Sequence, residues 1–315
     1  MAKVVSVSLG SSKRDHSVNA SFFGRDFEIS RVGTDGDFAK AEALLKDLDG
    51  KVDAIGLGGI DIYLYSGTRR YELVDGARLR DVVKRTPVVD GSGLKNTLEP
   101  EAVRFLAADP TFDLPKKTVL MVSAVDRFGM AKAFAEIGSK TIFGDLIFAL
   151  GVKVPVYTLD KLAGLADELL PKIIKAPFST LYPIGSEQDA EPDPKFAEFY
   201  DQADIIAGDF HYIRRYMPPK MKGKIILTNT VTERDVADLK EREVAYLVTT
   251  TPEYDGRSFG TNVLEAVFVV LIDKPWDRIQ ADDYLDLLRR LDYKPLIKRL
   301  SGGHGPAAPR GDNGD

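Results

Sequence analysis

Short apolar runs alternate with amphipathic stretches along most of the chain. Residues 4–9 (VVSVSL) read as a strand, and residues 17–23 and 26–31 flank Gly24-Arg25 as a hairpin. Residues 38–48 carry Phe38, Ala41, Leu44, Leu45 and Leu48 at helical spacing and stop at Asp49-Gly50, a helix-ending signal. Residues 52–57 form a buried strand that runs into Gly58-Gly59, and residues 61–65 and 70–74 form a second hairpin. A helix over 78–84, a strand over 87–89 and a helix over 99–107 follow. Residues 109–117, with Pro110 and Pro115, read as a linker. Beyond it lie six apolar runs at 118–125, 140–143, 152–157, 204–208, 224–227 and 245–248. Between them the spacing predicts helices starting near Phe128, over 159–174 with a break at Pro171, over 232–241 and over 262–271. Thr232 with Asp235 is close to a capping box.

Buried strands alternating with helices predict a parallel sheet covered on both faces. The fold class expected is α/β: an N-terminal α/β substrate domain, then a Rossmann-like doubly wound parallel sheet domain. The boundaries expected are 1–112 for the substrate-binding domain and 113–275 for the nucleotide-binding domain. A helix over 283–291 packs back within 276–300, residues 177–194 form a proline-rich surface excursion, and the polar tail 301–315, which contains His304, is disordered.

Composition removes several chemistries. The chain has 315 residues and a net charge of −5, which argues against a non-specific nucleic-acid binder. The absence of cysteine removes thiol nucleophiles and thiolate metal sites. The three histidines show no zinc-ligand spacing, so no metal is expected. No apolar run approaches a membrane span, and the start becomes polar within ten residues, so a cytoplasmic protein is expected.

Candidate chemistry sits at strand ends, where open α/β sheets bind ligands. The stretch 118–145 reads as strand, turn, helix, strand, acid. Its turn, with Ala124, Asp126, Arg127, Phe128 and Gly129, is a place for a pyrophosphate, and Asp145 lies where a ribose-binding acid would sit. The same turn also reads as a plain helix start capped by Asp126, because only one glycine of the usual pattern is present. In DGSGLKNT, Lys95 is a candidate acid/base if its surroundings lower its pKa, with Asn96 and Thr97 as hydroxyl binders. Asp61 and Asp90 are candidate acids beside it. Ser8, Ser11, Ser12, Lys13 and Arg14, with His16, suit a carboxylate or phosphate. Asp209 and His211 follow the strand at 204–208. Thr228, Asn229, Thr249, Thr250 and Thr251 follow the next two strands, and Thr261-Asn262 opens the last large helix. Polar clusters at successive strand ends converge on one cleft if the fold is right.

With those residues in view, the chain resembles bacterial proteins labelled quinate 5-dehydrogenase. The resemblance runs from VSVSLGSSKRDH through GGIDIYLY, DGSGLKNTLE, DRFGMAKA and IIAGDFHYIRRYMP to TTTPEYDGRSFGTN. It implies kinship with quinate/shikimate dehydrogenases: Lys95 paired with an Asp as acid/base, and Ser11 and Ser12 on the substrate carboxylate. Asp61, Asp90 and Asp126 all remain candidates for that Asp. The expectation is an NAD(P)-dependent oxidoreductase acting on a small hydroxylated carboxylic acid, with NAD favoured over NADP because Asp145 would repel a 2′-phosphate. The rivals are a non-redox transferase or lyase taking a phosphorylated ligand, and a two-lobed metabolite-binding sensor. The partner expected is a small molecule, with no nucleic acid or membrane, and a homodimer is left open.

Overall fold

A computed structural model describes residues 1–177, 191–254 and 257–301. The anticipated tail and its His304 fall outside the described residues, as does most of the excursion at 177–194.

The first lobe opens with β1 (Ala2–Ser8), the hairpin β2 (His16–Phe22) and β3 (Arg25–Gly33), α1 (Phe38–Leu48) and β4 (Ala54–Gly58). A hairpin of β5 (Tyr63–Ser66) and β6 (Arg69–Glu72) leads to α2 (Val74–Asp81), β7 (Val88–Val89), the one-turn α3 (Ser92–Lys95) and α4 (Leu98–Ala108). The first sheet has the order β2-β3-β1-β4-β7, parallel except for the β2–β3 hairpin.

The second lobe contains β8 (Thr118–Met121), α5 (Phe128–Ile137), β9 (Lys140–Phe143), α6 (Asp145–Phe148) and α7 (Leu159–Ile173). It continues through α8 (Ala197–Gln202), β10 (Ile205–Ala207), α9 (Phe210–Tyr216), β11 (Ile225–Thr228), α10 (Glu233–Glu241) and β12 (Tyr246–Thr249). After the short ribbon β13 (Glu253–Tyr254) and β14 (Arg257–Ser258) come α11 (Thr261–Leu271), α12 (Ala281–Arg290) and β15 (Leu296–Arg299). The second sheet has the order β9-β8-β10-β11-β12-β15, and only β15 is antiparallel. Alternate residues of β8 explain the double cover: Val119 and Met121 join one apolar cluster, and Leu120 joins the cluster on the other face.

The protein is therefore a two-lobed α/β structure built on two parallel sheets. In chain order the second sheet runs 2-1-3-4-5 and then an antiparallel edge, which is the flavodoxin-like order rather than 3-2-1-4-5-6. The run at 152–157 is not a strand. It makes one bridge, Val156 to Phe143, while Val152 and Val154 are exposed. The sixth strand is instead β15, whose register places Ile297 opposite Val248. Helix α7 continues through Pro171 and ends two residues later, so the lost amide costs the helix only its last turn.

The expected boundary at residue 275 is corrected. Helix α11 packs on the first sheet: Val263, Ala266 and Val267 share a core with Val4, Phe27, Ile29 and Ala54. The approach is close, because a Cβ at Gly56 would lie 2.7 Å from the carbonyl oxygen of Asn262. Helix α12 then packs Tyr284, Leu287 and Leu288 on Leu94, Leu98 and Phe268 before β15 returns to the second sheet. Among the described residues the chain thus passes between the lobes three times: at residues 96–97, between the end of β12 and the start of α11, and at residues 291–295.

Glu265 of α11 is buried in that returning helix, and its Oε1 accepts from the Tyr284 hydroxyl at 2.9 Å. Burial, then the charge of Asp90, pushes its carboxyl up to about 8. A folded-state pKa above the unfolded one gives stability that is present below the unfolded value and lost as pH rises through about 8. Stability should fall by up to ~1.4 kcal/mol per pH unit from this group across that window. Glu265→Gln, which keeps the neutral form's shape, should flatten that decline. Urea midpoints against pH check this; parallel profiles for the two proteins would refute it.

Candidate functional site

The carboxyl ends of both sheets face one cleft of about 510 Å³. From the first lobe it is lined at β1 and its loop by Ser6, Ser8, Lys13, Arg14 and His16, and at β3 by Arg31. Asp61 and Lys95 approach from the ends of β4 and β7, and Asn262 from the start of α11. The second lobe supplies Asp126, Arg127, Asp209, His211 and Asn229, with residues 230–235 at the start of α10.

At one end a lysine spans the lobes. Lys95 Nζ lies 2.6 Å from Asp61 Oδ1 and 2.5 Å from Asp126 Oδ1. Gly91, at φ 95°, sets this up: it turns the chain into α3 where a Cβ would lie 2.9 Å from the amide of Asn262. Burial pulls the Lys95 ammonium down, but Asp126 and Asp61 outweigh it and hold the pKa above its ordinary value. The lowered pKa that a general acid/base near neutrality requires is therefore not found. Asp61 moves the other way: burial first, then the charge of Asp126, raises it to about 7 against the pull of Lys95. Asp90 is not part of this group. Its carboxylate accepts from the amides of Ile62, Tyr63 and Ser92 at 2.6–3.0 Å and shapes the turn.

Behind it lies a buried ionic group. Arg127 is 1% exposed and pairs with Glu99, which is fully buried, and with Asp209 at 3.1 Å. Asp209 also caps α9, accepting from the amide of His211 at 2.8 Å. His211 Nε2 is 3.4 Å from Arg14 Nη1, a contact that requires Nε2 to accept and Nδ1 to hold the proton. Burial lowers the His211 pKa, which favours that neutral ring. Arg31 donates to Asp15 at 2.8 Å and to Ser8 Oγ at 3.0 Å. Asn262 Nδ2 donates to Ser6 Oγ at 2.9 Å.

The turn expected to cradle a pyrophosphate is closed by the protein's own groups. Asp145 Oδ1 accepts from the Val125 amide at 2.8 Å, so this acid ties the turn rather than facing a ribose; burial raises its pKa to about 6. Ala124 and Phe128 belong to the hydrophobic core. Gly129 packs on α3 and α4, where a Cβ would lie 3.0 Å from the Cα of Asn96. Other anticipated binders also serve the backbone. Asn96 donates to Ser92 O at 2.9 Å and Thr97 to Gly93 O at 2.8 Å. Thr228 donates to Gly208 O and Thr251 to Asn229 O, and Thr249 and Thr250 are buried away from the cleft lining. Ser11 and Ser12 shape the loop, with Ser11 Oγ accepting from the Lys13 amide and the Ser12 amide donating to Asp35, while Lys13 and Arg14 reach the cleft.

Of the residues anticipated from sequence, Ser8, Lys13, Arg14, His16, Asp61, Asp90, Lys95, Asp126, Arg127, Asp209, His211, Asn229, Thr261 and Asn262 line the cleft. Sequence reasoning missed Ser6, Arg31 and Arg234. The signal for Ser6 was present: VVSVS places it beside Ser8 on one face of a buried strand. Among the described residues, no group of three or more His, Cys, Asp and Glu is arranged to hold a metal ion, and no helix is long and apolar enough to cross a membrane.

Three similar solved structures are solute-binding proteins. One from Agrobacterium vitis, with bound allitol, has 11% identity and a TM-score of 0.37, with 95% of each chain covered. One from Burkholderia multivorans, with an unknown ligand represented as α-D-erythrofuranose, has 13% identity and a TM-score of 0.36, covering 86% of this chain and 92% of that one. One from Actinobacillus succinogenes, with bound D-allose, has 10% identity and a TM-score of 0.35, covering 95% and 98%. The expected NAD(P)-dependent oxidoreductase is corrected, because the nucleotide turn it needs is occupied by Asp145 and core side chains. No curated protein matches the chain. Residues 3–90 match a family model described as domain of unknown function DUF8753. Residues 93–300, more than half of the chain, match a second model, and the protein belongs to that family, the domain of unknown function DUF8754.

Proposed function

We propose that the protein is a two-lobed binding protein that holds one small, hydroxyl-rich molecule in the cleft between its lobes. The observation that carries this reading is the lining itself. Both lobes send polar side chains from the carboxyl ends of their strands into one space of about 510 Å³, within the usual range for small-molecule sites. A hydroxyl both donates and accepts. The cleft offers both kinds of partner at close quarters: carboxylates at Asp61, Asp126 and Asp209, and donors at Lys13, Asn229 and Asn262. Phe210 and Phe259 add apolar wall against which the C–H face of a ring can lie. Among the described residues the chain passes between the lobes three times, which permits closure about that space.

Calorimetric titration with sugars, methyl glycosides, polyols and sugar acids tests this. At least one should bind saturably, one per chain, while NAD and NADP give no heat. Asn262→Ala should weaken that binding about tenfold, equal to ~1.4 kcal/mol. Absence of heat from the whole panel at millimolar concentration would remove the reading.

A further inference from the structure

Four cations of the cleft take no part in the Lys95 and Arg127 groups. Lys13, Arg14 and Arg31 line it from the first lobe and Arg234 from the second. Arg31 has Asp15 as its ion partner at 2.8 Å, yet burial and then the charge of Arg14 hold its guanidinium down at about 10. Arg14 meets the ring of His211 across the lobes, and the charges of Arg14 and Asp235 both act on that ring. Arg14 and the first turn of α10 therefore flank one side chain. Lys13 and Arg234 are exposed, and among the described residues neither side chain has an ion pair or hydrogen bond. Arg234 is also placed against its own helix. It lies in the first turn of α10, where the acids Glu233 and Asp235 complement the helix dipole and a cation opposes it. Asp235 is committed to the cap, accepting from the Thr232 amide at 2.8 Å.

We propose that the molecule held in the cleft is a phosphate monoester, with its phosphoryl group between Lys13 and Arg14 of the first lobe and Arg234 of the second. This rests on the reading of the cleft as a site for a hydroxyl-rich ligand, and it narrows that class to sugar or polyol phosphates. Cations on facing walls repel one another until an anion lies between them. A phosphate group carries about −1.5 to −2 charge at pH 7 and three acceptor oxygens that point in different directions, so it can accept from both lobes at once. A carboxylate carries one charge and presents its two oxygens on one edge, and Asp15 already supplies Arg31 with such a group. The rest of the ligand then faces Asp61, Asp126 and Asp209, which accept from hydroxyls and repel a second anion.

Calorimetric titration of the full chain with matched compounds decides it: free hexoses, pentoses and polyols, their phosphate monoesters, the corresponding sugar acids, and inorganic phosphate alone. At least one monoester should bind about tenfold tighter, or better, than both its parent and the sugar acid of the same skeleton. Raising the ionic strength from about 0.1 to about 1 M, which shortens the screening length from about 10 to about 3 Å, should erode that gain. Lys13→Gln and Arg234→Gln alter exposed side chains, so both variants should fold. Each should lower the ester-to-parent affinity ratio about threefold, and together they should bring it near unity. Esters no tighter than their parents, sugar acids that match the esters, or a gain that both variants leave intact would overturn the phosphate assignment and leave the cleft reading standing. Inorganic phosphate bound, with no sugar, polyol or ester bound more tightly, would mark an adventitious ion only and remove both the assignment and the cleft reading. No heat from the entire set would likewise remove both.

Discussion

Arg127→Met should lower the stability of the fold by about 3–5 kcal/mol, the largest single-residue loss anticipated outside the aliphatic core. The guanidinium is 1% exposed and faces a fully buried Glu99, with Asp209 at 3.1 Å. Methionine fills much of the same volume, so lost packing is a minor part. The cost comes from Glu99, whose pKa burial already raises against the pull of Arg127. Without the arginine the carboxylate must take up a proton or remain a bare charge in the interior. The double variant Arg127→Met, Glu99→Gln removes that charge and should regain more than half of the loss. Urea unfolding of the four proteins of this cycle provides the measurement. A single-variant loss under ~1 kcal/mol, within the range of exposed ion pairs, would contradict a buried charge group.

Lys95→Met should show a loss that depends on pH. Asp61 and Asp126 each lie within 2.6 Å of the ammonium, and its removal leaves two carboxylates facing each other across the lobes. Two such groups cannot both ionise cheaply, so one retains a proton. Asp61 already titrates at about 7, above its unfolded value. Removing the cation raises it further. The stability tied to the protonated form is present below the ordinary carboxylate range and lost as pH rises through the raised value. The variant should therefore be close to the parent in acid and several kcal/mol less stable above neutrality. Thermal unfolding against pH checks this. A pH-independent difference between the two proteins would mean that the lysine acts by packing alone.

The pattern of apolar residues carried most of the secondary structure, and it failed where tertiary context decides. Helix α1 and strand β9 have the limits the spacing predicts, because each has a clear apolar face or run and a sharp polar end. The run at 152–157, VKVPVY, has three valines at strand spacing, yet Pro155 removes a ladder donor and the run makes only one bridge. Strand β15, LIKR, is half charged and short, and its place is set by β12 rather than by its own pattern. Helix α11 is apolar on most of its surface, with Glu265 as a buried exception, because it lies between the first sheet and α12. Periodicity reports that burial but not against which lobe, and chain order alone suggests a boundary after α11 that the packing does not follow. At the site, residue type identified Lys95, Asp61 and Asp126 one by one. Their meeting across two lobes, and the raised rather than lowered Lys95 pKa, follow from distances that sequence spacing does not contain. Asp145, Thr228 and Thr251 show the reverse error: polar residues at strand ends often satisfy their own backbone before any ligand.

In the proposed function, one space is shared by both lobes as a ligand site. The most direct test is the crystal structure of the protein grown with whichever hydroxylated compound titrates it. The ligand should appear between the two sheets, within hydrogen-bond distance of Asn262 on one lobe and of Asp209 or Asn229 on the other. Density for that compound on an outer face, with the cleft holding only solvent, would contradict the central claim.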